Sequence, residues 1–349
     1  MRICILVALC LLTIAHAAAQ AEATLPAQTD ATLPAEAPPI EDAAPGLQLF
    51  DAMVVSGVQP GPGLWRVSKG DNVMWVLGTL TPLPKKMEWV SREVEQVIAE
   101  SQEVLLGPGA TLKNKIGMFR GLMLLPAALG SRKNPEGEKL VEIVPAELYA
   151  RWTPLKAKYI GRSRGIEKQR PLFAALKLYE KAIKKNRMTQ ESVVLPVVKK
   201  IAKKHKVPVN RPEIEIEIGN PREAINDFAD SRLDDLDCFA GTLDRLETDL
   251  ETMRERANAW ATGDIEALRS LPFTDQNQIC ADAILQAGIT RELGLADLRE
   301  RLATAWLEAA EKALASNRST FALLSMREVV SPDGYIDRLR ERGYEVEEP

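Results

Sequence analysis

The stretch Leu64-Trp65-Arg66-Val67-Ser68-Lys69-Gly70-Asp71-Asn72-Val73-Met74-Trp75-Val76-Leu77-Gly78 decides the fold. Two apolar runs rich in Val and Trp flank a Gly/Asp/Asn turn signal, so the segment reads as a β-hairpin. Beyond Pro84, Val90, Val94, Val97 and Ile98 recur at helical spacing, and Glu103-Val104-Leu105-Leu106 has the length and apolarity of a short buried strand. Strand, helix, strand predicts a βαβ-type start and an α/β (α+β) protein built on a central sheet.

Working outward, residues 112–129 are apolar with Gly and Pro interruptions, which predicts short buried helices. Pro171 stands at a favourable first helical position ahead of Leu172, Leu176, Tyr179 and Ile183, so a helix is expected to about Asn186, with a second over residues 193–204. Glu213-Ile214-Glu215-Ile216-Glu217-Ile218 alternates strictly and reads as a strand with one polar face. Residues 222–263 predict one or two amphipathic helices and residues 295–315 another. Phe321-Ala322-Leu323-Leu324 reads as a strand, residues 332–342 as a helix stopped by Gly343, and Tyr344-Glu345-Val346 as a last strand.

Toward the N-terminus, Met1-Arg2 precedes an apolar run that ends in Ala15-His16-Ala17-Ala18-Ala19, the pattern of a cleaved secretory signal peptide over residues 1–19. Residues 20–46 repeat Ala-Thr-Leu-Pro-Ala and carry Pro38-Pro39, so they are expected to be a disordered Ala/Pro-rich linker to one domain over 47–349. No other segment is apolar for long enough to span a bilayer, so the mature chain is expected to be soluble, periplasmic or secreted. It would keep Cys238 and Cys280, an even pair in an oxidising space. A bridge between them is expected; two buried free thiols are the other reading.

Lys and Arg number 45 against 49 Asp and Glu, so no overall basic field draws the chain to nucleic acid. The chain has 2 histidines and His16 leaves with the leader, which excludes a His-rich metal site and leaves His205, at a helix end among lysines, as a solvated side chain. Neither a nucleophile elbow nor a phosphate loop is present. Glu213, Glu215 and Glu217 line one strand face, either an exposed polar face or an oxygen-ligand row for Ca²⁺ or Mg²⁺. Lysine runs at Lys181, Lys184, Lys185, Arg187 and at Lys199, Lys200, Lys203, Lys204 are either solvated helix faces or docking sites for anionic lipids or acidic polymers.

Three blocks resemble the TraB/GumN family: the hairpin through Gly78-Thr79-Leu80, then Trp260-Ala261-Thr262-Gly263-Asp264, then Phe321 to Val346 with Asp333-Gly334-Tyr335 and Gly343-Tyr344. Their order and spacing cover about Leu47 to Val346. The resemblance implies a central mixed sheet flanked by many helices, the EreA/ChaN-like architecture. It also implies a metal-dependent hydrolase site built from two Gly-x-x-His motifs and an acidic residue after the second strand. On this chain those positions hold Thr81, Glu328 with Ser325 for its glycine, and Gly107 and Gly109. The expected product is therefore a non-catalytic binding or accessory protein without cofactor, whose vestigial cleft near Thr81, Gly107 and Glu328 takes a peptide, glycan or envelope protein. The alternative is a hydrolase with a rebuilt site, in which Glu328, Glu103 or the Glu213 to Glu217 row serves as general base.

Overall fold

At Gly70 the backbone takes φ +66°, a conformation that glycine adopts without a steric penalty. Leu64–Lys69 (β1) therefore folds back on Asn72–Thr79 (β2) as an antiparallel hairpin, with Leu64 opposite Leu77. The computed structural model describes residues 62–87, 89, 91–113, 118–231, 233–271, 280–281 and 295–349. The expected leader and linker, and Val90, lie outside the described residues.

Leu83–Pro84 (β3) leads to Arg92–Glu100 (α1), which buries Val94 and Ile98, and then to Glu103–Leu106 (β4) and Gly109–Leu112 (β5). Met118–Gly130 (α2), Ala146–Tyr159 (α3) and Pro171–Lys185 (α4) follow. Met188–Thr189 (β6) pairs with β3, and Val194–His205 (α5) packs on α1. Val209–Asn210 (β7) pairs with β4, and Glu213–Ile216 (β8) pairs with β5. Three helices come next: Pro221–Asp230 (α6), Leu236–Thr248 (α7) and Leu250–Thr262 (α8). After Ile265–Ser270 (α9) and Leu298–Ser316 (α10), Ser319–Ser325 (β9) enters the sheet. Met326–Val330 (α11), Tyr335–Glu341 (α12) and Glu345–Glu347 (β10) end the fold.

The main sheet has six strands in the order β10-β1-β2-β9-β4-β7. Both pairs at the β10 side are antiparallel and the rest are parallel, so the sheet is mixed, as expected. The simple βαβ reading is corrected in one respect. β2 and β4 are parallel but not neighbours, because β9 lies between them, with Trp75 opposite Phe321 on one side and Val104 opposite Phe321 on the other. β9 suits that central place: Thr320 to Leu324 are all buried, as a strand covered on both faces requires.

Other expectations shift with packing. Residues 222–263 form parts of three helices rather than one or two. The expected helix over residues 332–342 begins only at Tyr335, and the preceding helix α11 was not foreseen. The region expected as buried short helices contains one longer helix, α2, whose Leu124 and Ala128 pack near Ile225 of α6. Its other face is open, with Phe119 81% and Met123 76% exposed. Apolarity alone does not say which face is covered: among the described residues, Leu124 and Ala128 are the side chains of α2 that become buried.

A second apolar core joins α3, α4 and α7 around Trp152, Leu172, Leu178 and Phe239. Cys238 and Cys280 are bridged within it, their Cα atoms 4.7 Å apart. The N-terminus of α4 is held by Asp235, whose carboxylate accepts the Leu172 backbone N–H at 2.8 Å. Burial pushes that carboxyl up, while the Leu172 hydrogen bond and the nearby Arg170 oppose the shift.

Candidate functional site

Three parallel strands end side by side. Thr79 of β2 is opposite Ser325 of β9, and Leu106 of β4 is opposite Leu323. Residues that follow strand ends at a sheet's carboxyl edge are where α/β folds place ligands. Thr81, Gly107 and Glu328 follow β2, β4 and β9 in this way.

The edge is tightly fastened. Gly107 donates its N–H to the Leu323 carbonyl at 2.9 Å, and Thr79 Oγ1 donates to the Leu324 carbonyl at 2.9 Å. The buried Trp260 indole donates to the Gly78 carbonyl at 3.0 Å, and Trp89 packs edge-on against Trp260. Gly263 ends α8 with φ +74°, and Asp264 caps α9 by accepting the Ala267 N–H at 2.9 Å. A Cβ on Gly78 would lie 2.6 Å from Met326 Cε, so the glycine makes room for the buried side chain that follows β9. The three sequence blocks that carry the resemblance thus meet at one edge.

The side chains there are poor donors for a metal. Thr81 is exposed and offers one hydroxyl, and Gly107 and Gly109 offer none. In place of the acidic residue stands Arg211, whose Nη1 donates to the Gly107 carbonyl at 3.0 Å. Its Cδ would be 3.1 Å from a Cβ on Gly109, so the Arg211 side chain crowds the start of any side chain placed there. Among the described residues no group of three or more His, Cys, Asp and Glu is placed to hold a metal ion. A divalent cation does not fit this donor set.

Glu328 sits on α11, whose first turn is capped by Ser325 Oγ accepting the Glu328 N–H at 3.4 Å. Its carboxyl is held above the usual range chiefly by burial, with Arg327 opposing and Asp333 reinforcing the shift. Beside it is a hollow of about 140 Å³ lined by Arg299, Arg327, Glu328, Asp333, Tyr335 and Arg338 among others. Neither Thr81 nor Gly107 lines it. Burial and the neighbouring Glu328 also raise the Tyr335 phenol, which stacks on Trp306 with ring centroids 5.2 Å apart. Gly334 is pinned here: a Cβ would lie 2.6 Å from the Glu328 carbonyl oxygen.

The other sequence candidates fall elsewhere. Glu103 is at the opposite end of β4 from Gly107 and accepts hydrogen bonds from Asn210 and Asn317, at 2.6 and 2.7 Å. Glu213 and Glu215 are exposed on β8, and Glu217 pairs with Lys113 at 2.9 Å. His205 lies at the end of α5, 3.2 Å from Glu95, which also binds Lys204. Sequence reading singled out neither Arg211 nor the arginines of the hollow. Arg211 precedes Pro212 in the two-residue link between β7 and β8 and carries no motif, whereas Trp260 belongs to a Trp-x-x-Gly-Asp block.

Fold and edge together define an α/β protein whose candidate binding end lies at the carboxyl ends of parallel strands. The family model for the TraB/PrgY/gumN family matches residues 63–348, and the chain belongs to that family. Comparison with curated proteins and with solved structures found no significant match.

Proposed function

We propose that this chain is an exported envelope protein that keeps the family fold, has lost metal-dependent hydrolysis, and serves as a binding or accessory protein for a peptide, glycan or protein partner. The observation that carries this reading is the carboxyl edge of the sheet, where Thr81, Gly107 and Gly109 stand at the ligand positions and Arg211 holds the Gly107 carbonyl. A cleaved leader over residues 1–19 and the Cys238–Cys280 bridge fit a periplasmic or secreted location. Among the described residues no helix is long and apolar enough to cross a membrane.

The test is elemental analysis of the mature protein with calorimetric titration of Mn²⁺, Co²⁺ and Zn²⁺. No stoichiometric metal is expected; tight one-to-one binding would overturn the reading. Terminal mass analysis of the chain recovered from the periplasm tests the leader, with the expected N-terminus just after Ala19.

One observation favours the second reading, a hydrolase with a rebuilt carboxylate site: Glu328 lines a hollow and burial shifts its carboxyl upward, the direction a general base needs. That reading predicts peptide or ester hydrolysis abolished by Glu328→Gln. Hydrolysis unaffected by this substitution would remove it.

A further inference from the structure

We infer that the surface made by the C-terminal ends of α3 and α4 and the turn after β3 binds an acidic polysaccharide, a polymer of carboxylated or phosphorylated sugars. The inference names the ligand chemistry of the binding protein proposed above and rests on the binding part of that reading.

Three separate stretches meet there. The Lys85 N–H donates to the Arg187 carbonyl at 3.0 Å, and Lys185 Nζ donates to the Lys158 carbonyl at 2.7 Å. The Lys158 and Lys185 ammonium groups lie 5.0 and 6.0 Å from the centre of one ring, that of Tyr159. Lys85, Lys86, Lys158, Lys184, Lys185 and Arg187 are all exposed, and none forms an ion pair with a described residue. Glu167 and Glu180, on the flanking segments, are engaged by Lys156 and Lys177. Glu88 and Glu191 follow in the sequence, and two carboxylates do not balance six cations.

Helix dipoles explain part of this, because cations favour helix C-termini and Lys184 and Lys185 end α4. They do not explain Lys85 and Lys86, which follow a strand, nor the convergence of like charges in a chain of net charge −4. The Lys158 and Lys185 ammonium groups are both held over the Tyr159 ring, so two like charges stand close together, and an anionic group bound between them would relieve the repulsion.

The surroundings select among polyanions. Among the described residues the large exposed apolar side chains are on α2 and at Val141 and Val209, outside these three stretches, so no described side chain of the patch serves as a bilayer anchor. Its aromatic ring is buried, so no base can stack on it. Ammonium groups on flexible four-carbon stems suit a densely charged polymer, and β3 joins the patch to Thr81, four residues before Lys85.

The test titrates the mature protein with oligogalacturonate, with dextran as the neutral control, and with phosphatidylglycerol vesicles and single-stranded DNA as rival anions. Salt-sensitive binding to oligogalacturonate and none to dextran is expected. The variant Lys158→Gln/Lys184→Gln/Lys185→Gln/Arg187→Gln should bind about tenfold to thirtyfold more weakly. Lys199→Gln/Lys200→Gln/Lys203→Gln on α5 should bind as the parent does. If circular dichroism shows the first variant unfolded, Lys85→Gln/Lys86→Gln gives the same readout from a turn. No binding at low salt, equal binding by the patch variants, or tighter binding to vesicles or DNA would each overturn the inference. Metal titration is independent of these arms, so a chain that binds metal and polymer loses the retired-site reading and keeps this one.

Discussion

Trp260 and Gly78, 182 residues apart, are joined by a 3.0 Å hydrogen bond from the buried indole N–H to the strand carbonyl. That bond closes the end of β2 where the chain leaves the sheet. Trp260→Phe keeps most of the ring but strands a buried acceptor, and should cost about 1–3 kcal/mol in denaturant unfolding. An unchanged unfolding midpoint would show that Gly78 has another donor.

Gly78→Ala should destabilise by about 1–3 kcal/mol, because the new methyl would lie 2.6 and 2.8 Å from Met326 Cε and Sδ. The two sites should couple: in Gly78→Ala/Met326→Ala the loss is smaller than the sum of the single losses. Additive losses would assign the cost of Gly78→Ala to some other neighbour.

The Cys238–Cys280 bridge spans 42 residues, for which chain-entropy arguments give about 4 kcal/mol of stabilisation. Cys238→Ser/Cys280→Ser should lower the unfolding midpoint accordingly, and reductant should lower the parent's midpoint but not the variant's. A parent insensitive to reductant under denaturing conditions would mean that the bridge is not formed.

Burial holds the Glu328 carboxyl above its ordinary range, so the folded state prefers the proton. Its favourable contribution is complete in acid, below about pH 4, and is lost as the pH rises through the raised folded value. Glu328→Gln should therefore melt above the parent at pH 7, with the gap closing as the pH falls toward about 4. A gap that is the same at both pH values would assign the effect to packing instead of charge.

Much of the architecture was legible because local signals and final structure agree. The Gly70 turn, the alternating strand that forms over Glu213–Ile216 and the Pro171 helix start each depend on near neighbours in sequence. The insertion of β9 between β2 and β4 was not legible, since strand order is set by packing between segments more than 200 residues apart. For the candidate site, the resemblance located Thr81, Gly107 and Glu328 past adjacent strands. It could not supply Arg211, whose contact with Gly107 spans 104 residues, nor the hollow beside Glu328, which needs α10, α11 and α12 folded together. The exposure of Phe119 and Met123 ran against expectation because hydrophobicity predicts burial only where another surface is available to cover it.

The position of β9 also governs when the protein can fold. A nascent chain ending before Ser319 has β2 and β4 but no strand to sit between them, and β1 awaits β10 at the far edge. The sheet therefore closes only after β9 has been made, and until then the edges of β2 and β4 stay open to other chains. Truncations before Ser319 should yield aggregates rather than a smaller folded domain.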